Sequence, residues 1–201
     1  MYDFIILNGN KKIMFSAPHS VEQTRDGKIK FSEPETGEIA KELNLLGFPC
    51  IIKTKNNNDD ANFDEFSLYR NELISYIKEN KIIALIDLHE MAPSREQNIC
   101  LGTGGEECLN LLGDHIKEQK LQEYFSSYFK NVTINKPFGA KYPFTVSRYI
   151  SQNCNIPCVQ VEINCNLFVN KLTTIKEIAK IFEDATNILV EKQNEKDIVS
   201  K

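Results

Sequence analysis

The sequence lacks a long apolar run, a run of basic residues and a Cys-x-x-Cys pair. Its apolar runs are all shorter than the roughly 18 to 20 residues that a membrane-spanning helix needs, so no such helix is predicted. Lys and Arg number 24 against 28 Asp and Glu, which gives a net charge of −4. Because binding to a phosphate backbone needs clustered cations, this balance argues against a nucleic-acid partner.

The cysteines predict no disulfide framework and no cysteine-rich zinc site. The six are Cys50, Cys100, Cys108, Cys154, Cys158 and Cys165, and most of them lie in or beside apolar runs. Without Cys-x-x-Cys spacing they are expected to be reduced and mostly buried, as small hydrophobic side chains. The first residues also show neither a basic leader nor a small-residue cleavage site, so a cytoplasmic location is expected.

The length and apolar content predict one compact domain. With 201 residues, 41% of them hydrophobic, the chain can build one sizeable core, and we expect a catalytic domain over 1–195 followed by a polar tail over 196–201. Short apolar runs alternate with segments of helical periodicity. The expected fold class is therefore α/β: a three-layer sandwich with a central mixed, mostly parallel sheet flanked by helices.

The pattern along the chain predicts strands and helices in alternation. Strands are predicted over 3–7, 12–17, 48–54, 81–88, 98–101, 131–135 and 157–163. Helices are predicted over 35–46, 63–80, 106–119, 145–153 and 171–192. Asn8-Gly9 predicts a tight hairpin between the first two strands, and residues 18–33 are predicted to be a loop.

Three apolar runs end at a titratable residue, and this pattern points to a site. The runs lead to His19, His89 and Glu162. Ligands of open α/β sheets bind beyond the carboxyl ends of the strands, so these side chains converge if their strands are parallel neighbours.

Two of these residues, with a nearby carboxylate, form a candidate metal site. His19-Ser20-Val21-Glu22 has an HxxE spacing that can place an imidazole and a carboxylate on one ion, and His89 would supply the third ligand. Asp87 lies on the same side of its strand as His89 and is expected to orient that imidazole. The second HxxE, at His115, is interpreted as the solvated face of a surface helix.

Glu162 is the candidate catalytic carboxylate. It lies on the polar face of the strand, with Gln160 and Asn164, where a buried unpaired carboxylate would be costly. Three protein ligands and an open position are typical of catalytic zinc, which activates a water molecule that Glu162 can deprotonate. This predicts amide hydrolysis, with Arg148 binding a substrate carboxylate or stabilising the oxyanion. An edge strand with a hydrated face is the alternative account of Glu162.

Five short motifs, in order along nearly the whole chain, resemble the N-formylglutamate amidohydrolase family. They are Pro18-His19-Ser20, Asp60-Ala61-Asn62, Asp87-Leu88-His89, Cys100-Leu101-Gly102-Thr103 and Val161-Glu162-Ile163-Asn164. The resemblance implies a zinc carboxypeptidase-like fold with one zinc ion on His19, Glu22 and His89. It also implies catalysis by Glu162, and substrate contacts from Asp60, Asn62 and Asn164 beside Arg148.

The chain departs from the family's pattern at two places. Phe63 follows Asn62 where the family tends to have an arginine, and Lys141-Tyr142 stands where a glycine-rich stretch is expected. The expected substrate is therefore an acidic N-acyl amino acid such as N-formylglutamate, or a small peptide. A non-catalytic domain that kept the fold is the alternative from a different class, whereas an arginase-like site lacks the further aspartates that it needs.

Overall fold

The computed structural model describes residues 2–105, 110–168 and 171–191, with the side chains of 171–173 excepted. Its strands are β1 (Phe4–Leu7), β2 (Ile13–Ala17), β3 (Gln23–Arg25), β4 (Lys28–Lys30), β5 (Cys50–Lys53), β6 (Ala84–Met91), β7 (Ile99–Gly102), β8 (Val132–Ile134) and β9 (Cys158–Asn164). Its α-helices are α1 (Pro34–Leu45), α2 (Leu68–Asn80), α3 (His115–Ser126), α4 (Val146–Cys154) and α5 (Lys171–Val190).

Seven strands form one mixed sheet in the order β1-β5-β2-β6-β9-β7-β8. The four central strands, β5, β2, β6 and β9, are parallel. Strand β1 pairs antiparallel with β5, and β7 pairs antiparallel with β9 but in parallel with β8. The central strands are almost entirely buried because helices cover both faces. Helices α1, α3 and α5 pack on one face and α2 and α4 on the other, which confirms the predicted three-layer α/β fold.

The predicted hairpin between the first two strands is wrong. Strand β5 lies between β1 and β2 and pairs with both. The segment after Asn8-Gly9 instead runs along the turn between α1 and β5, where the backbone N–H groups of Asn10 and Lys11 both donate to the carbonyl of Gly47 at 3.0 Å. Asn-Gly permits a tight change of direction, but the pairing of β1 is determined by packing with residues that are distant in the sequence.

Several boundaries also differ from the sequence predictions. Helix α2 begins at Leu68 because the Ser67 hydroxyl caps it by accepting from the Arg70 N–H. The helix predicted over 106–119 is found as α3, which starts after the cap Asp114, while 106–109 lie outside the described residues. The predicted loop over 18–33 contains the two-stranded sheet of β3 and β4.

Two further expectations concern the cysteines and the tail. The five cysteines in the described part of the chain are free thiols, and three of them are buried, as predicted. Cys108 and the tail over 196–201 lie outside the described residues. None of the helices within 2–105, 110–168 and 171–191 is both long and apolar enough to cross a membrane.

Gly9 provides a test of the strand order. A Cβ at this position would lie 2.4 Å from both the Gly47 carbonyl oxygen and the Pro49 nitrogen. Gly9→Ala should therefore lower the free energy of unfolding by more than about 2 kcal/mol, because backbone must shift. Gly27→Ala is the control: Gly27 has a φ of 71° but no atom within 4 Å of a Cβ, so the loss should be about 1 kcal/mol. Equal losses in urea unfolding would contradict the close approach.

Candidate metal and catalytic site

The parallel strands bring the predicted residues to one end of the sheet. Strand β6 pairs in parallel with β2 on one side and with β9 on the other. His89 on β6 is directly in register with Glu162 on β9, and His19 follows β2 by two residues. Residues in register on neighbouring strands present their side chains to the same face. The structure thus gathers His19, His89 and Glu162 around one cavity of about 630 Å³.

A carboxylate joins the two histidines, and it belongs to Glu33. Its Oε1 lies 3.0 Å from His19 Nδ1, and its Oε2 lies 3.1 Å from His89 Nδ1. Ligand atoms bound to one tetrahedral zinc ion at about 2.0 to 2.1 Å are themselves about 3.3 Å apart. One donor atom from each residue can be chosen so that all lie within 4.8 Å of one another. The described residues therefore present two nitrogens and a carboxylate in a group that fits a zinc ion. His19, Glu33 and His89 are called the metal group below, and the cavity that they line is called the metal cavity.

The structure differs here from the expectation that Glu22 is the third ligand. Glu22 is exposed and is not part of the His19, Glu33 and His89 group. After His19 the chain turns into the β3–β4 hairpin, which carries Glu22 to the surface and returns at Glu33. Glu33 is fixed at the start of α1, where its own N–H donates to the His19 carbonyl at 2.7 Å. The sequence signal for this position is Pro34, because a proline in the first turn marks the start of a helix and Glu33 immediately precedes it.

Each histidine is held from its other nitrogen by an aspartate. His19 Nε2 lies 2.9 Å from Asp60 Oδ1, and His89 Nε2 lies 3.1 Å from Asp87 Oδ2. The Asp87 contact was expected, because Asp87 and His89 are two residues apart on one strand and face the same side. Asp60 was instead expected to bind substrate, and in the structure it contacts His19. Both aspartates are fully buried. Because each Nε2–H donates to a carboxylate, both Nδ1 atoms are oriented toward Glu33, where they can act as metal ligands.

The charges within this group shift the pKa values of its members. Burial alone would lower the pKa of His19, but the charge of Glu33 and the hydrogen bonds from Asp60 and Glu33 raise it to about 9. Burial would raise the pKa of Glu33, yet the two imidazoles lower it to about 2. For His89, Asp87 and Glu33 likewise outweigh burial and raise the pKa. Without metal these shifts favour the protonated form of both histidines, so an entering cation displaces protons.

Glu162 lines the same cavity and is only 6% exposed. Gln160 Nε2 donates to its Oε1 at 2.7 Å, which fixes the carboxylate. Burial raises the pKa of Glu162 to about 7, with the histidine charges opposing and the Glu33 charge adding to the increase. Strand β9 is central and has β7 on its other side, so the alternative of a hydrated edge strand does not hold.

The other predicted site residues have structural contacts. Asn62 Oδ1 accepts from the Val146 N–H at 2.6 Å and so fixes the start of α4, although Asn62 also lines the cavity. Asn164 Nδ2 donates to the carbonyls of Arg95 and Gln97, both at 2.9 Å.

Arg148 lies away from the metal group. It lines a separate cavity of about 700 Å³, together with Leu111 and Pro157. The larger volume does not make this second cavity the reaction site, because it contains neither histidine of the metal group nor Glu162.

Among the described residues, three cations line the metal cavity, and the two arginines among them carry no motif that marks them in the sequence. The three are Arg25, Arg95 and Lys141. Arg25 lies on the β3–β4 hairpin, within the segment that was predicted to be a loop. Its Nη2 lies 2.7 Å from Asp60 Oδ2. The cavity thus combines a carboxylate-rich floor with positive charge on its walls.

Comparison with solved structures supports the fold assignment. The gene product Atu2144 from Agrobacterium tumefaciens superposes with a TM-score of 0.67 at 12% identity, over 92% of this chain and 94% of that one. The N-acetylmuramoyl-L-alanine amidase from Clostridium difficile 630 gives a TM-score of 0.54 at 12% identity, over 90% and 97% of the two chains. A metallo-carboxypeptidase from Burkholderia cenocepacia gives 0.55 at 12% identity, over 93% of this chain and 60% of that one.

The fold is therefore that of the zinc carboxypeptidase and amidase group, as the sequence predicted. At these identities the similarity establishes the fold alone. No protein-family model and no curated protein matches the sequence.

The ligand set is tested by two pairs of variants. Glu33→Gln removes a charged ligand and His89→Ala removes a nitrogen ligand, so each should weaken zinc binding by more than about 100-fold. Glu22→Gln and His115→Ala change exposed residues outside the group and should leave zinc binding as in the parent. Elemental analysis and competition with a chelator measure this. If Glu22→Gln loses zinc and Glu33→Gln retains it, the third ligand is Glu22, as the HxxE spacing predicted, and not Glu33.

The metal-free protein should lose stability as the pH rises. The folded-state pKa of His19, about 9, is above its ordinary value of 6.5. The resulting stabilisation is complete below about pH 6.5 and is lost as the pH rises through about 9. In the presence of a chelator, the free energy of unfolding of the parent should exceed that of His19→Gln at low pH. This difference should shrink by on the order of 2 kcal/mol between about pH 6 and pH 9.5. Urea unfolding measures it. His115→Gln, at a side chain 81% exposed, should track the parent, and a pH-independent difference for His19→Gln would refute the ion pairing.

Proposed function

We propose that this protein is a zinc-dependent amidohydrolase that cleaves the amide bond of an acidic N-acyl amino acid, with N-formylglutamate as the reference substrate. The observation that carries the proposal is the convergence of two histidine nitrogens, the Glu33 carboxylate and the Glu162 carboxylate on one cavity. A structural metal site uses four protein ligands, whereas three ligands leave a position for water or substrate.

The proposed zinc site consists of His19, Glu33 and His89. When bound there, zinc supplies Lewis acidity, which lowers the pKa of water and polarises an amide carbonyl. Asp60 and Asp87 keep the two imidazoles in the orientation that presents Nδ1. The chemistry of this donor set also suits other divalent transition metals, and zinc is proposed because it is the common ion of such sites.

Glu162 is proposed as the general base and then the general acid. Its carboxylate takes a proton from the attacking water, and it later gives that proton to the nitrogen of the leaving amino acid. The hydrogen bond from Gln160 holds the carboxylate in place, and burial raises its pKa to about 7, close to neutral pH. A carboxylate that is buried yet reaches the cavity can transfer protons in both directions.

The choice of substrate rests on the charge and size of the cavity. About 630 Å³ suits a small molecule, and the cations on its walls suit a substrate that carries carboxylates. Two of the structural neighbours named above act on C–N bonds by name, one as an N-acetylmuramoyl-L-alanine amidase and one as a metallo-carboxypeptidase. The motif resemblance to N-formylglutamate amidohydrolases supports an acidic N-acyl amino acid as the substrate.

Hydrolysis of small peptides is the second candidate function. The fold similarity to the metallo-carboxypeptidase favours it, and the same zinc site and Glu162 would serve. A panel of N-formyl amino acids, N-acetyl amino acids and dipeptides, assayed with the zinc-loaded protein, separates the candidates. Faster cleavage of dipeptides than of N-formylglutamate would favour the peptidase, and no cleavage with zinc bound would favour a non-catalytic domain.

The Glu162→Gln variant tests the mechanism. Glutamine keeps the size of the side chain but cannot accept the proton, so kcat should fall roughly 10²- to 10⁴-fold. Zinc content should equal that of the parent because Glu162 is outside the ligand group. Glu22→Gln, at an exposed position, is the matched control and should keep full activity. Parental turnover by Glu162→Gln, or loss of its zinc, would exclude Glu162 as the base.

A further inference from the structure

The β3–β4 hairpin contributes a guanidinium group to the cavity. Arg25 lies at the end of β3, and both its Nε and its Nη2 contact Asp60 Oδ2, at 2.9 and 2.7 Å. Asp60 is the same buried carboxylate that holds His19. The Arg25 side chain is 31% exposed and lines the cavity that contains the metal group.

An aromatic stack supports the guanidinium. The guanidinium carbon of Arg25 lies 4.7 Å from the centroid of the Phe63 ring, within the range of a cation–π contact. Phe63 in turn stacks on Tyr142, with ring centroids 5.2 Å apart and planes 12° apart. All three residues line the cavity. The departures noted in the sequence, Phe63 and Tyr142, thus form the platform on which Arg25 rests.

This arrangement fixes the guanidinium without using all of its donors. Arginine has five N–H groups in a planar fork, and the contacts to Asp60 involve only Nε and Nη2. The remaining donors can pair with another carboxylate. Because the aspartate and the ring already restrict the side chain, little rotational freedom is lost when a substrate binds.

The other cations are less well placed for this role. Arg148 lines the separate cavity, and its Nη1 donates to the Lys141 carbonyl. Arg95 is exposed on the connection between β6 and β7. Arg25, by contrast, forms an ion pair with Asp60, the carboxylate that also holds His19.

We propose that Arg25 is the specificity-determining residue that binds a free carboxylate of the substrate, with the Phe63–Tyr142 stack as its support. This inference rests on the proposed amidohydrolase function for the identity of the substrate. It assigns to the hairpin the carboxylate recognition that the sequence analysis gave to Arg148.

Binding without turnover tests the proposal. In the zinc-loaded Glu162→Gln protein, calorimetry measures the affinity for N-formyl-L-glutamate and for the analogue in which both carboxylates are carboxamides. Adding Arg25→Met should weaken binding of the acid by about 10- to 100-fold, because a charge-assisted hydrogen bond is lost. Affinity for the diamide and zinc content should not change. Arg25→Lys should give an intermediate loss, because the charge remains but the planar fork does not.

Three matched variants complete the experiment. Lys28→Met removes the same charge from the exposed position paired with Arg25 across the hairpin and should leave the acid's affinity unchanged. Arg148→Met should do likewise. A loss of acid binding on Arg148→Met or Arg95→Met, with none on Arg25→Met, would overturn the proposal. So would equal losses for acid and diamide on Arg25→Met, or a parent that binds the acid no better than the diamide.

The two proposals fail in different ways. If the unmodified zinc protein does not hydrolyse N-formylglutamate while acid binding still depends on Arg25, the amidohydrolase is refuted and the carboxylate site stands. If the parent hydrolyses N-formylglutamate and Arg25→Met has the same KM for it, the amidohydrolase stands and the carboxylate site at Arg25 is refuted.

Discussion

The contact of one carboxylate, that of Glu33, with both histidines is the interaction on which the site depends. It belongs to a buried row of alternating charges, Asp60, His19, Glu33, His89 and Asp87. Three carboxylates with two neutral imidazoles carry a charge of −3, which is costly to bury without a cation. Two protons on the imidazoles, or one divalent ion at Nδ1, bring the charge to −1. The raised pKa values of the histidines and their fitness as metal ligands thus have one cause.

The rest of the fold holds the members of this row in place. Parallel strands β2, β6 and β9 fix His19, His89 and Glu162, and the start of α1 fixes Glu33. The loop that carries Asp60 and Asn62 is held by Arg70, which is 1% exposed. Its guanidinium donates to the carbonyls of Ala61 at 2.8 Å and Glu65 at 2.9 Å, and also to those of Asp64 and Phe144. A buried cation therefore holds an irregular loop in place beside the candidate metal site.

The two sides of the cavity have different roles. The side formed by the sheet holds the metal group and Glu162, and it is built from buried strands. The opposite walls come from the hairpin and from the segment around Tyr142, which carry cations and aromatic rings. Asp60 connects the two sides, because it accepts from His19 with one oxygen and from Arg25 with the other. In the proposed function, reaction chemistry and substrate selection therefore belong to separate parts of the fold that are joined through Asp60.

The sequence by itself determined the α/β class. It also predicted His19, His89 and Glu162 as candidate site residues, because each ends an apolar run of the kind that forms a buried strand. It also indicated Asp87, which shares a side with His89 by strand alternation. Only the tertiary structure decided the rest. Glu22 is nearer to His19 along the chain, but the hairpin over 23–30 carries it outward and returns the chain at Glu33. Strand β5 separates β1 from β2 although a turn joins them. In both cases pairing across many residues outweighs local spacing, because burial and hydrogen bonding are satisfied by the whole sheet rather than by neighbours along the chain.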